Sequence, residues 1–266
     1  MIIDFHTHIF PDQIAAKTIE KLQSAGGTQA YTNGTLDGLK KSMKESDITL
    51  SVILPVVTKP LQFETINDFA EKITDRKEIF SFGGIHPDTE DYRGQLEEIK
   101  RKGLLGIKLH PDYQNTFVDA PEMVRMIQYA SELGLIVLIH AGLDIGLPTP
   151  IHCTPQRAAN MLSQIEQENA KIILAHMGGY HLWDEVEEYI VGKNVWVDTS
   201  YSLGMMKEEQ FVRIVKNHGS DKVLFGTDSP WAGQKETLEY IKRLDLTEEE
   251  LDRILYRNGA KLLGIG

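Results

Sequence analysis

Residues 135–142 read "LIVLIHAG": five consecutive branched apolar side chains, then a histidine, an alanine and a glycine. An unbroken apolar run suits a strand covered on both faces, as in parallel sheets under helices; a strand with one wet face would alternate. Seven further stretches share the pattern: "IIDFHTH" (2–8), "LSVILPV" (50–56), "IFSFGGIHP" (79–87), "LLGIKLHP" (104–111), "KIILAHMGG" (171–179), "VWVDTS" (195–200) and "VLFGTDSPW" (223–231). Helix-length amphipathic segments lie between them, among them "LDGLKKSMKESD", "QLEEIKRK", "APEMVRMIQYASELG" and "TPQRAANMLSQIEQEN". The last helix opens at Thr247 with a capping-box pattern, in which Thr247 and Glu250 satisfy each other's free backbone donors. Eight strand-then-helix units in regular alternation predict an α/β fold, a (β/α)8 TIM barrel with a parallel sheet. An open doubly wound sheet is the alternative. No linker or low-complexity tract interrupts residues 1–266, so one domain is expected.

Acidic residues outnumber basic ones, 39 against 28, for a net charge of −11. That balance argues against a broad phosphate-binding surface and so against a nucleic-acid partner. A single cysteine, Cys153, rules out an internal disulfide and points to a reducing compartment. The first residues hold no basic leader and no membrane-length apolar segment, so a cytoplasmic protein without a membrane anchor is expected. A homodimer is expected on base rates alone.

The ionisable residues gather at the ends of the apolar runs. His6 and His8, His86, Lys108 and His110, His140, His176, Asp198 and Asp228 all fall at or near C-terminal strand ends, the face on which barrel enzymes build their sites. Period-2 alternation would put Asp4, His6 and His8 on one side of the first strand, with Asp4 deeper, as a hydrogen-bonding partner. A lone strand-end histidine is usually a loop hydrogen-bonding residue. Four histidines and an aspartate from four strands, meeting on one axis, are different, because each buried polar group without a partner costs roughly 1–3 kcal/mol. A divalent metal removes that cost. Imidazole nitrogen with carboxylate oxygen suits Zn2+ best, while Mn2+, Fe2+ and Ni2+ fit the same donors.

"DFHTH", "IKLHP", "IHAG", "AHMGG" and "GTDSPW" stand in order on the first, fourth, fifth, sixth and eighth strands, and a closing "YRNGAKLLG" follows. This ordered set resembles the amidohydrolase superfamily, in its amidohydrolase-2 type of TIM-barrel metal-dependent hydrolases, over nearly the whole chain. The resemblance implies that His6 and His8 hold a first metal, that His140 and His176 are the strand-five and strand-six metal histidines, and that Asp228 both touches the metal and moves the proton. His176 joins Asp228 as a catalytic residue. Lys108 has two readings: carboxylated, it bridges two metals; unmodified, it is a buried cation beside one metal that pairs with Asp or holds a substrate carboxylate. His86 in "GIHPD" resembles the third-strand motif of TatD-type nucleases, against which stand the acidic balance and Lys108 where that family has Glu.

Loops after the fourth and fifth strands put His110, Tyr113, Asp144, His152 and Arg157 at the catalytic end, where specificity is usually carried. Trp183 and Trp231 either line that pocket or pack beneath it. Cys153 reads as a small buried residue. The expected function is metal-dependent hydrolysis of a small amide, lactone or other ester by activated water, with Asp228 as general acid and base. Non-oxidative decarboxylation of a small carboxylic acid is the second reading, with Lys108 or Arg157 holding the carboxylate. A barrel that binds without catalysing is the third.

Overall fold

The computed structural model describes residues 1–147, 149–166, 168 and 170–265; Pro148, Gln167, Asn169 and Gly266 lie outside the described residues, and with them part of the predicted segment 154–169. Among the described residues nine strand segments follow one another: β1 Ile3–Thr7, β2 Leu50–Ile53, β3 Ile79–Ser81, β4 Gly83–Gly84, β5 Gly106–Leu109, β6 Ile136–Ile139, β7 Lys171–Leu174, β8 Trp196–Asp198 and β9 Val223–Leu224. Every pairing between them is parallel and between sequence neighbours. The barrel closes where the last strand returns to the first: the Phe5 amide donates to the Phe225 carbonyl (2.8 Å) and the Asp228 amide to the His6 carbonyl (2.8 Å). Thr7 and Ser229 form a parallel bridge above them.

β3 and β4 are two halves of the third barrel strand. β3 pairs with β2, and the Phe82 amide still donates to the Ile53 carbonyl. At Gly84 the side chain of Asn67, from helix α3 (Phe63–Ile73), takes over both backbone groups: its Oδ1 accepts from the Gly84 amide at 3.0 Å and its Nδ2 donates to the Gly84 carbonyl at 2.9 Å. A side-chain amide thus replaces a ladder pair, and β4 continues on to β5.

Within β6 the four apolar residues divide between two cores. Ile136 and Leu138 join Phe5, Val52, Phe82, Ile173 and Leu224 in the barrel interior, and Val137 and Ile139 pack outward with Leu109, Leu174, Ala158 and Met161 under the helices. Continuous apolarity in the sequence follows from this two-sided burial. The predicted capping box forms at α10 (Glu248–Asp252): Thr247 Oγ1 accepts from the Glu250 amide at 3.2 Å, and Glu250 Oε2 accepts from the Thr247 amide at 2.7 Å. No helix among the described residues is long and apolar enough to cross a membrane.

The first strand departs from simple alternation. Its register with β2 shifts between Asp4 and Thr7, and this irregularity separates Asp4 from His6. Asp4 does not share the histidines' side. It is fully buried toward Gln234, at the start of α9 (Gln234–Lys242), and accepts from Gln234 Nε2 (2.7 Å), Thr227 Oγ1 (2.6 Å) and the Thr227 amide (3.0 Å). An inserted residue turns the side chains after it to the other face.

Beyond β6 and β7 the chain stays in contact through a bridge between Gly142 and Tyr180, which holds His140 and His176 side by side. Gly142 has φ +89°, and a Cβ there would lie 2.0 Å from the Tyr180 amide nitrogen. Replacing Gly142 by Ala is therefore expected to cost about 3 kcal/mol or more and to disorder the His140 and His176 ends. Gly134→Ala is the control, at φ +78° with nothing within 4 Å of its Cβ; it should cost only about 1–2 kcal/mol. Urea denaturation of both variants reads the difference.

Candidate metal centre

His6 and His8 leave the first strand toward the barrel mouth, and each has its Nδ1 tied to an acceptor. His6 Nδ1 faces Asp198 Oδ2 at 2.8 Å, and His8 Nδ1 faces the Leu54 carbonyl at 2.8 Å. An acceptor at Nδ1 puts the single proton of a neutral imidazole there and leaves Nε2 as a bare lone pair. The two Nε2 atoms nevertheless lie 3.2 Å apart, with Asp228 Oδ1 at 3.3 Å from one and 3.1 Å from the other. Three lone-pair donors turned on one point repel one another unless a cation sits between them. Two imidazoles and one carboxylate fit a divalent ion of the Zn2+ or Mn2+ kind.

Asp198, at the end of β8, organises this arrangement from beneath. Besides holding His6, it accepts through Oδ1 from the His176 amide (3.1 Å), from the Ser200 amide (3.0 Å) and from Ser200 Oγ. The His176 ring is fixed in turn, its Nδ1 donating to the Ser200 carbonyl at 3.0 Å, which turns Nε2 toward His140 Nδ1 at 3.0 Å. Both His176 (φ +59°) and Asp228 (φ +72°) occupy the left-handed region that side chains avoid. Such conformations cost on the order of 1–3 kcal/mol and persist where surrounding bonds impose them, as they do at functional sites.

Burial lowers the pKa of His6 well below the usual imidazole value, and the neighbouring Lys108 charge adds to this. At Asp228 burial pushes upward, but the surrounding rings of His8, His6 and His176 outweigh it and hold the carboxyl below its ordinary value. Lys108 is sealed in the barrel with Nζ 3.2 Å from His6 Nε2, and burial brings its pKa down to about 8.

The predicted pocket residues separate into two groups. His110 stacks on His140, ring centroids 4.0 Å apart and 9° from parallel, and Tyr113 lies on its other side at 4.1 Å. His110 Nε2 reaches Asp144 Oδ2 at 3.3 Å. His110, His140 and Asp144 together offer donor atoms within 4.8 Å of one another. The in-plane lone pairs of two stacked rings lie in nearly parallel planes, so these two do not meet at one ion as they stand. His152 Nδ1 donates to Asp112 Oδ1 at 3.0 Å. Arg157 is taken up elsewhere: its guanidinium pairs with Asp119 at 2.8 Å and covers the Phe117 ring at 4.0 Å. Trp183 packs beneath the centre and donates from Nε1 to the His176 carbonyl. His86 bonds within its own turn, its Nδ1 accepting from the Asp88 amide. Cys153 is fully buried, which raises its thiol pKa.

The sequence reading gave no role to Asp198, Ser200 or Asp112. Only the strand-end position of Asp198 marked it.

The sequence model of the amidohydrolase family (Amidohydro_2) matches residues 3–265. The chain belongs to that family. A curated relative, the decarboxylase OrsB of Emericella nidulans, is 29% identical over 104 residues, which is 37% of this chain and 30% of that protein; the match spans under a third of the relative's length. Among solved structures, an uncharacterised TIM-barrel protein of Bordetella bronchiseptica superposes with a TM-score of 0.77 at 16% identity, over 99% of this chain and 98% of that one. A dihydroxybenzoic acid decarboxylase of Polaromonas sp. JS666 with bound manganese superposes with a TM-score of 0.70 at 14% identity, over 99% and 96%. Decarboxylases and a probable hydrolase both occur among such structures. At these identities the likeness establishes the TIM-barrel fold, and the reaction has to be argued from the site.

Lys108 gives the centre a pH signature in metal-free protein. Its folded pKa of about 8 lies below the ordinary 10.5, so the unfolded chain binds the extra proton between these values and stability rises with pH across pH 8–10. The gain is on the order of 3 kcal/mol. Urea denaturation at stepped pH should show the rise, and Lys108→Met should remove it.

Proposed function

We propose that this chain is a divalent-metal hydrolase of a small molecule, cleaving an amide, lactone or other ester. His6, His8 and Asp228 hold the ion, and the His140–His176 pair supplies the adjoining ligand face, with Lys108 bridging a second ion only if it is carboxylated. The observation that carries the reading is the convergence of three lone-pair donors within 3.3 Å, with both imidazole rings held from behind at Nδ1. When bound, a divalent ion supplies Lewis acidity and brings a water's pKa toward neutrality. Zn2+ and Mn2+ both suit the donors.

Asp228 is the proton carrier. Its side chain keeps 11% exposure, against none for Asp198, so it alone of the two carboxylates meets both the donor point and the mouth. Held below its ordinary pKa, it is ionised at neutral pH and accepts the proton of the attacking water, then returns it to the leaving group. Asp198 holds the His6 ring. His110, Tyr113 and Asp144 wall the substrate side.

Hydrolysis is placed first because the cations expected to grip a substrate carboxylate are engaged: Lys108 is 1% exposed and Arg157 is paired with Asp119. The second reading, non-oxidative decarboxylation, is favoured by the names of the relatives, a decarboxylase in sequence and several in structure. In that reaction the same Asp228 would first take a proton from water at the mouth and then hand it to the carbon that loses CO2.

Metal analysis of purified protein should find about one divalent ion or more per chain, and His6→Ala should lose it. Asp228→Asn should lower kcat about 10²–10⁴-fold. A wild-type chain without stoichiometric metal would sink both readings. Parallel assays on lactones, amides and aromatic acids, the last followed by CO2 release, decide between them.

A further inference from the structure

Four buried side-chain atoms in the described residues have no hydrogen-bond partner, and two of them face each other: Asp112 Oδ2 and His140 Nε2, 3.9 Å apart. A carboxylate oxygen with no donor, set beside an imidazole nitrogen with no partner, is not a chance vacancy, since leaving either group unsatisfied costs on the order of 1–3 kcal/mol. Asp112 is itself held firmly. Its Oδ1 accepts twice from one residue, from the His152 amide at 3.1 Å and from His152 Nδ1 at 3.0 Å. Its side chain is 5% exposed and that of His140 is 8% exposed, so solvent does not resolve the pairing.

As a neutral ring the His140 imidazole has one proton to place. With that proton on Nδ1, the ring would bond His176 Nε2 and leave a lone pair turned on the Asp112 carboxylate, in a dry setting. With it on Nε2, a donor faces the free Asp112 oxygen across 3.9 Å, a gap that a small shift of either side chain would close to a hydrogen bond, and the lone pairs of His140 Nδ1 and His176 Nε2 face each other at 3.0 Å. Facing lone pairs are the same sign of a cation that His6, His8 and Asp228 give. We propose that Asp112, braced by His152, is a positioning residue that accepts the His140 Nε2 proton and thereby presents His140 Nδ1 as a ligand atom beside His176. A carboxylate behind a ligating histidine fixes both tautomer and ring direction. His152, on the loop after the fifth strand, then acts two hydrogen bonds behind the ligating ring without touching the ion.

This inference rests on the metal-centre reading, and its test separates the two. Zinc affinity is measured by competition with a chromophoric chelator for wild type, Asp112→Asn, His152→Ala and His152→Asn. The Nε2 or Nδ1 protonation of His140 is read from 15N histidine NMR of the zinc-loaded protein, with His140→Gln giving the assignment. Asp112→Asn puts an amide where the acceptor stood and should weaken zinc binding about 10–100-fold with little change in Tm. His152→Ala should weaken it less, and His152→Asn, which keeps a donor near the Nδ1 position, should recover most of the loss. His140 should carry its proton on Nε2. A proton on Nδ1 with zinc bound, or wild-type affinity in Asp112→Asn, overturns the inference and leaves the metal centre standing. A wild type that takes up no zinc or manganese overturns both.

Discussion

The centre depends on one electrostatic constraint: lone pairs of like character are held closer together than they would stay by themselves. His6 Nε2, His8 Nε2 and Asp228 Oδ1 lie within 3.3 Å of one another because Asp198 and the Leu54 carbonyl have claimed the opposite nitrogens of both rings. The protein thus fixes the tautomers first, and the positions of the ligand atoms follow. Asp198 carries the heaviest share. It orients His6 through one oxygen, and through the other it gathers the His176 amide and Ser200, so that a single carboxylate ties together histidines at the ends of the first and sixth barrel strands. The left-handed backbone at His176 and Asp228 belongs to the same economy, for those conformations set side chains at the mouth that ordinary strand geometry would turn elsewhere.

Much of this was legible in the sequence. Continuous apolar runs with a terminal histidine gave the strands, their parallel pairing and the mouth of the barrel, because two-sided burial and strand-end polarity are local properties of the chain. What escaped reading depends on pairing across distance. Asp198 and His6 are 192 residues apart and Asp112 and His152 forty, and no spacing rule reveals that such partners meet. Asp4 shows the opposite failure. Alternation put it with His6 and His8, and a shift in register between β1 and β2 turned it toward Gln234 instead. Irregularities of that kind arise from how two strands fit, which neither strand announces alone. The split third strand has a similar origin, in Asn67 reaching in from a helix.

The pocket side of the centre is built of pairs. His110 is sandwiched between Tyr113 and His140, Asp144 is held by the Gly146 amide as well as by His110, and Arg157 lies closed against Asp119 and Phe117. Such a wall is rigid and hydrogen-bonded before anything binds. Rigidity of this kind favours one ligand orientation at low entropic cost, and it leaves few unoccupied cations with which to attract an anion.

Barrel closure and the proposed metal ligands share the same few residues. The amide of Asp228 donates to the carbonyl of His6, and Asp4 bonds Thr227 across 223 positions of sequence. A chain still emerging from the ribosome, short of its last strand, holds His6 and His8 but neither their carboxylate nor the seam that fixes them. On the proposed reading, ion capture therefore waits for the last barrel strand. On the same reading, bound metal would add its binding energy only to the closed form, so the ion would work as a clasp between the first and last barrel strands, its loss felt first at that seam.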